Sequence, residues 1–358
     1  MFSLLRTSPL VGRLVGLFFL SLLMISGCSP TPEIVIEKIT GPTMGTEYHI
    51  SWVNKSSAQY DEVERAAQRL QIQQGVDEIL SAINESMSTY DQQSELSLLN
   101  SHFTPEWQTV TGDLYRVLYM AMEVHDQSMA AFDVTVGPLV NLWGFGPEKH
   151  VQQPPQSEEI QAKLQQVGAG VIRLRQRDGQ FQLKLQQPRY IDLSAIAKGY
   201  AVDVIGQYLS RQGIDDYLVE VGGEIIAQGN KALDTPWRIA VEAPNDQGRS
   251  AQMIIPLSNM GVATSGDYRN FFQYEGNRFS HTIDGRTGYP VKHGLASVSV
   301  LHESVAMADA WATALTVLGV KEGLVIAEQL NLAAFFIQRT DNGFEQYTSS
   351  QFKQLRKN

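Results

Sequence analysis

Asp309 and Thr313 lie four residues apart in SVAMADAWATALTVLG (304–319), a stretch otherwise built of residues that suit a core. Four residues is just over one helical turn, so a helix here points both side chains the same way. A carboxylate in that company needs compensation, because unpaired burial costs several kcal/mol. Two readings follow. Asp oxygen, Thr hydroxyl and nearby carbonyls form a hard-oxygen set that suits Mg²⁺ or Ca²⁺ and not zinc. Alternatively, Thr313 bonds a carbonyl of its own helix while Asp309 pairs with a Lys or Arg.

Five other stretches are more polar and glycine-rich than their apolar neighbours: GPTMGTEY (41–48), AAFDVTVGPLVNLWGFGPEK (130–149), IDLSAIAKGYAVD (191–203), VEVGGEI (219–225) and 262–291. IDLSAIAKGYAVD reads as a strand that turns into a helix near Lys198-Gly199, and a helix start with a Lys beside it suits phosphate. It lacks the GxxxxGK[ST] spacing of a Walker loop, so an ordinary turn with a solvent-facing Lys fits as well. HTIDGRTGYP places His281, Asp284, Arg286 and Thr287 within seven residues, between the turn signals Asp284-Gly285 and Thr287-Gly288. His and Asp this close suit acid/base or phosphate chemistry, or simply a polar turn. Phe132, Trp143 and Phe145 are able to wall a flat ligand, although core aromatics around a glycine-rich bend explain them better. Together the stretches point to a flat ring, phosphates and a hard cation.

These residues need elements to hold them. EYHISWV (47–53) alternates like a strand, and 61–88 carries Val63, Leu70, Val76, Ile79, Leu80, Ile83 and Met87 at helical spacing, with Gly75 as a candidate break. Helices are also expected over 113–128 and over 157–168, the second with Ser157 as N-cap. A hairpin turns at Asp178-Gly179. YIDLS, YLVEVGGEIIAQG, WRIAVEAP, QMIIPLSNMGVATSG and ASVSVLHE read as strands, followed by the helix of the opening paragraph, a further helix KEGLVIAEQL and a strand AAFFIQR. The order is that of an α+β protein: helices early, strands in the middle, helices late. No strong linker interrupts the chain after residue 40.

The chain has 358 residues, 43% hydrophobic, enough for one large core or two intertwined lobes. A formal net charge of −10 argues against nucleic-acid binding. At the N-terminus, Arg6 and Arg13 precede a twelve-residue apolar run, 14–25, then Ser26-Gly27-Cys28. The run is too short for an ordinary membrane span. Its pattern is that of a bacterial lipoprotein signal: 1–27 removed, Cys28 lipidated, and 28–40 a tether to the membrane. As the only cysteine, Cys28 leaves no internal disulfide. Ser29 is not Asp, so the usual inner-membrane retention signal is missing and the outer membrane stays open.

PTMGT, AFDVTVGPLVNLWGFG, DLSAIAKGYAVD, VEVGGEI, VATSGDYRNFF, SHTIDGRTGYPV and ADAWATAL occur in order between residues 40 and 320, and in this the chain resembles the ApbE family of FAD:protein FMN transferases. The resemblance implies an α+β fold related to the T-fold, over 41–350: a single large mixed domain with a smaller inserted lobe. It implies FAD as substrate, Mg²⁺ as cofactor, AMP as product, and transfer of FMN to a Thr or Ser hydroxyl. The implied acceptors are subunits of sodium-pumping quinone reductases or Rnf-type complexes, reached from the periplasmic side of the inner membrane. It places Met44, Tyr90, Ala131, Phe132, Asp133, Asp192, Lys198 and Ile283 on FAD, and Ala195, Asp309, Ala312 and Thr313 on the metal. His281 is the expected catalytic base, with Asp284 orienting it or acting directly. Where the family usually has Pro after that Asp, this chain has Gly285, which loosens the turn. Two other activities fit the same residues: hydrolysis of FAD to FMN and AMP, and flavin binding without catalysis.

Overall fold

The computed structural model describes residues 34–55, 61–146, 153–242, 251–266 and 270–356; the expected signal peptide and Cys28 lie outside them. Eight strands form one antiparallel sheet: β1 (Val35–Thr43), β2 (Thr46–Asn54), β6 (Tyr217–Val221), β7 (Glu224–Gln228), β10 (Met260–Gly266), β15 (Leu295–His302), β16 (Ala333–Thr340) and β17 (Gly343–Thr348), in that spatial order. The rest pair locally: β3 (Gln108–Val110) with β5 (Gln180–Leu185) and β4 (Ile172–Arg177), β8 (Trp237–Glu242) with β9 (Ala251–Leu257), β11 (Phe271–Tyr274) with β12 (Asn277–Ser280), and β13 (Ile283–Asp284) with β14 (Tyr289–Pro290). The helices are α1 (Glu62–Met87), α2 (Glu95–Ser101), α3 (Gly112–Gln127), α4 (Gly137–Leu142), α5 (Ser157–Leu164), α6 (Ala197–Arg211), α7 (Val305–Gln329) and α8 (Ser350–Leu355).

Alternation in the strands decides the layers. On β16, Ala334 and Phe336 join the main core with α1, α3, α6 and α7, while Ala333, Phe335 and Ile337 face the β8–β9 hairpin and α8. Both faces are covered, so β15 is buried along nearly its whole length, with Ser297 and Ser299 among its apolar residues, and β16 opens on five buried apolar residues. A third cluster of Leu139, Trp143, Ile160, Phe272 and Ile283 forms the smaller lobe. The expected α+β mixed domain with a smaller lobe is present.

Several expectations are corrected. The tether of 28–40 ends sooner, because β1 begins at Val35 and pairs along its length with β2, and its Glu37 is buried against Arg65 and Arg69. Gly75 does not break α1. The helix runs unbroken, and a Cβ at 75 would lie 2.2 Å from the Tyr208 hydroxyl, so the glycine serves close packing. Val63 and Leu70 are exposed; Ile72, Val76, Leu80, Ile83 and Met87 form the buried stripe. Ser157 is the first residue of α5, and the cap is Gln156, whose N–H donates to Glu159 at 2.8 Å. YIDLS is not a strand: its backbone bonds run to single partners, with Asp192 N–H donating to the Val134 carbonyl at 2.7 Å. In α7 the two expected helices meet at Gly319, whose φ of 71° breaks the helical path. α7 is long and apolar enough to cross a membrane, yet most of it is buried in the protein's own core.

Candidate functional site

Two cavities meet at Lys198. The first, about 420 Å³, is lined by Ala131, Phe132, Asp133, Asp192, Ala195, Lys198, Glu224, Ser265, His281, Ile283, Asp309 and Thr313, among others. The second, about 610 Å³, is lined by Met44, Tyr90, Ser194 and Lys198 together with the end of α1. Of the residues expected on flavin, on the metal or in catalysis, only Asp284 and Ala312 are missing from these two walls. A larger cavity of about 890 Å³ involves none of them.

Local chemistry explains how each group is delivered. Met44 and Gly45 both take left-handed backbone (φ 47° and 71°) in the two-residue turn of the β1–β2 hairpin, the geometry such turns favour. Phe132 is fixed by its carbonyl, which accepts from His125 Nδ1 at 2.8 Å, and by its N–H, which donates to Ser128 Oγ at 3.1 Å. Asp133 borders the cavity, but its carboxylate accepts from Thr135 N–H (2.7 Å), the Thr135 hydroxyl (2.5 Å) and Ala169 N–H (3.1 Å). It braces the loop that presents Ala131 and Phe132. Asp192 similarly accepts from the N–H of Ser194 at 2.9 Å.

The floor of the first cavity is charged, and its two carboxylates are buried. Asp309, 4% exposed, accepts a long 3.3 Å bond from Gly199 N–H. That contact needs α6 and α7 to touch, and only glycine allows it: a Cβ at 199 would lie 2.4 Å from the Val305 carbonyl oxygen. Lys198 pairs with Glu224, a buried carboxylate on the first residue of β7. Burial pushes the Asp309 carboxyl up from its ordinary range, with Lys198 and the Gly199 N–H opposing. Glu224 is pushed up to about 8, by burial first and by Asp309 second, against the pull of Lys198. Burial alone would lower Lys198, but Asp309 and Glu224 outweigh it and hold its pKa above the usual lysine value. Glu224 escaped the sequence reading, although VEVGGEI had been singled out. An acid opening a strand after Gly-Gly carries no local sign that it meets a lysine on a distant helix.

Thr313 shares this wall, its hydroxyl 3.1 Å from Ser265 Oγ. Ala195 lines the same cavity. Ala312 does not join them, because its carbonyl points along α7 and accepts the Thr316 hydroxyl at 2.8 Å. Among the described residues no group of three or more His, Cys, Asp and Glu is poised for a metal. The cavity instead offers carboxylate, hydroxyl and carbonyl oxygens. That donor set fits a hard cation that takes its remaining ligands from substrate phosphates.

The rim is built differently. His281 Nδ1 lies 3.0 Å from the Asn270 carbonyl; a carbonyl only accepts, so Nδ1 carries the proton and the basic electron pair is on Nε2. Asp284 does not take the orienting role. Both its oxygens receive Arg286, at 2.9 Å each. Trp143 and Phe145 are core aromatics: Trp143 is 2% exposed and donates to the Gly288 carbonyl at 2.9 Å, and Phe145 packs on Phe272.

An antiparallel α+β domain with paired cavities joined at a lysine, oxygen donors on one wall and a histidine at the rim, defines a site for an extended, phosphate-bearing ligand. The model of the ApbE family matches residues 44–336. A relative from Vibrio cholerae (serotype O1, strain O395), named FAD:protein FMN transferase, is 41% identical over 333 residues, covering 93% of this chain and 96% of its own. One of the same name from Haemophilus influenzae (strain Rd) is 40% identical, covering 93% and 94%. The solved flavin transferase ApbE from Vibrio cholerae superposes with a TM-score of 0.79 at 40% identity, covering 90% of this chain and 99% of that one. The apo form of the Pseudomonas stutzeri flavinyl transferase ApbE gives 0.80 at 34%, covering 91% and 98%. The chain belongs to the ApbE family.

Proposed function

We propose that this protein is a transferase that moves the FMN moiety of FAD onto a hydroxyl of an acceptor protein, with AMP as the other product. Flavin chemistry of this kind is what its relatives are named for. The observation that carries the reading at atomic level is Lys198, the charged side chain that lines both cavities, beside Ser194, which also lines both. A dinucleotide spanning them brings its diphosphate past that ammonium.

The acceptor hydroxyl, of Thr or Ser, attacks the FMN-side phosphorus. A phosphorus–oxygen bond forms to the acceptor as the bond to the bridging oxygen breaks, and AMP leaves with that oxygen. His281 takes the hydroxyl proton on Nε2, held in that tautomer by Asn270. Lys198 offsets charge on the diphosphate. Phe132 and Ile283 supply apolar wall, and Met44 and Tyr90 line the second cavity for the flavin ring. Asp309, Thr313 and Ala195 would hold Mg²⁺, which when bound neutralises developing phosphate charge. The acceptors proposed are subunits of sodium-pumping quinone reductase or Rnf-type complexes. The N-terminal pattern supports lipidation at Cys28; residence on the periplasmic side of the inner membrane follows from the proposed acceptors and not from that pattern.

The test is the intact mass of a candidate acceptor domain after incubation with the full chain, FAD and Mg²⁺. A gain of one FMN, abolished by Asp309→Ala and by chelator, is expected. Release of FMN and AMP without a mass gain would replace transfer by hydrolysis. Bound FAD with neither product would leave a flavin carrier.

A further inference from the structure

The second cavity has an apolar wall with one amide set into it. Met44 enters from the β1–β2 turn, Ile83 and Met87 from the end of α1, and Tyr90 stands beside them, mostly exposed. Two thioethers, an aliphatic chain and a phenol suit the faces of a flat ring. Most polar side chains around them are already committed. Lys198 pairs with Glu224, the Ser194 hydroxyl donates to Asp192, and Ser88 Oγ accepts from the N–H groups of Tyr90 and Asp91 at 3.2 Å each. Asn84 differs. It sits next to Ile83 and one turn before Met87, half-buried, and its side-chain amide meets no partner among the described residues. Thr89 adds a hydroxyl to this wall, but only the amide sets a donor and an acceptor side by side in one plane.

A half-buried amide among apolar neighbours costs free energy unless a ligand or water answers it. The pyrimidine edge of an isoalloxazine ring presents a carbonyl, the N3–H and a second carbonyl. An amide matches two of these together: its NH₂ donates to a carbonyl oxygen while its own oxygen accepts from N3–H. We infer that Asn84 is a specificity-determining residue that reads the N3–H edge of the flavin, while Met44, Met87 and Tyr90 take the faces of the ring. The inference rests on the reading of the second cavity as the flavin end of the site. The apolar groups accept any flat ring of this size; the amide rejects one that lacks the edge.

A substrate analogue crossed with a variant tests this. FAD and FAD methylated at flavin N3 are titrated into the full chain with Mg²⁺ present and no acceptor, and binding is read from flavin fluorescence. The wild type is expected to bind FAD about tenfold or more tightly than the methylated flavin. Asn84→Leu is expected to weaken FAD by about tenfold and to bind the two flavins within about threefold of each other. Leu keeps the size of the side chain, so the lost preference does not come from room made for the methyl group. A wild type without preference overturns the inference. So does a preference that survives in N84L, or a loss by the same factor for both flavins, which would put the amide on another part of FAD. If N84L does not fold, Asn84→Ser decides by the same criteria. A wild-type chain that binds neither flavin removes the flavin reading and this inference together. Flavin binding that is indifferent to Asn84 removes only the role of Asn84.

Discussion

The floor and the rim of the first cavity carry comparable numbers of charged side chains but hold them by opposite means. On the floor, Lys198, Glu224 and Asp309 come from α6, β7 and α7, elements far apart in the chain; the two carboxylates are buried and Lys198 is held by its pair with Glu224. At the rim, Asp284 and Arg286 belong to one tight turn, with Thr287 and Gly288 N–H groups both donating to the Asp284 carbonyl. His281 is anchored from the start of the β11–β12 hairpin. The floor carboxylates are therefore desolvated and, with Lys198, mutually perturbed, whereas rim groups are partly solvated and locally self-sufficient. A charge that must act on phosphate without reorganising belongs on the floor; a group that must meet an incoming protein belongs at the rim.

The largest effect should come from the floor. Asp309→Ala is expected to lower FMN transfer by about 10³-fold or more, as removal of several kcal/mol of charge stabilisation would; transfer rates at saturating FAD measure it, and a loss under tenfold would make the floor dispensable. His281→Ala at the rim should cost about 10²-fold, the usual contribution of a general base. Retention of the full rate would take the proton-accepting role away from His281.

Gly199→Ala probes how the floor is held. Its Cβ would press on the Val305 carbonyl at 2.4 Å, so forcing α6 from α7 should cost about 1–3 kcal/mol of stability, read as a lower Tm. The pH dependence probes its charge. Glu224 titrates near 8 in the folded protein and near 4.5 when ordinary. The folded state therefore keeps a proton that the unfolded chain releases. Stability from this group is complete below about pH 4.5 and is lost as pH rises to about 8, at up to about 1.4 kcal/mol per pH unit. Denaturation in chelator across that window should show the slope in wild type and its loss in Glu224→Gln; equal slopes would mean that the carboxyl is ionised throughout.

The smallest effect belongs to the rim. Gly285 has no positive φ, and a Cβ there meets ordinary contacts of 3.4 Å or more. It occupies the second position of the turn closed by Thr287 N–H to the Asp284 carbonyl, where proline is favoured. Gly285→Pro should therefore stabilise the protein by about 0.4–1 kcal/mol with little change in transfer. A destabilised variant would show that the rim needs the freedom glycine supplies.

Much of this was legible in residue order. The hairpin at Asp178-Gly179 forms as expected because both residues take left-handed backbone, φ 51° and 77°. Asp309 and Thr313 do share a cavity wall, as one helical turn requires. Trp143 is a core residue, the better of its two sequence readings. Failures arose where local pattern met a distant partner. Val63 and Leu70 fit a helical stripe, but the α1 face that packs runs through Ile72 and Val76. Asp284 stands three residues from His281, yet its own turn delivers Arg286 to it first.

By itself the sequence determined the units whose geometry closes within a few residues: two-residue turns, helix faces, the acid–threonine pair and the motifs that mark the family. Only the tertiary structure decided which carboxylate Lys198 would take. That choice depends on a β6–β7 turn left bare at Gly222 and on two helices brought into contact at Gly199, 110 positions from the carboxylate its N–H meets. Attraction between charges is blind to sequence separation, and packing of the core is what brought these within reach of one another.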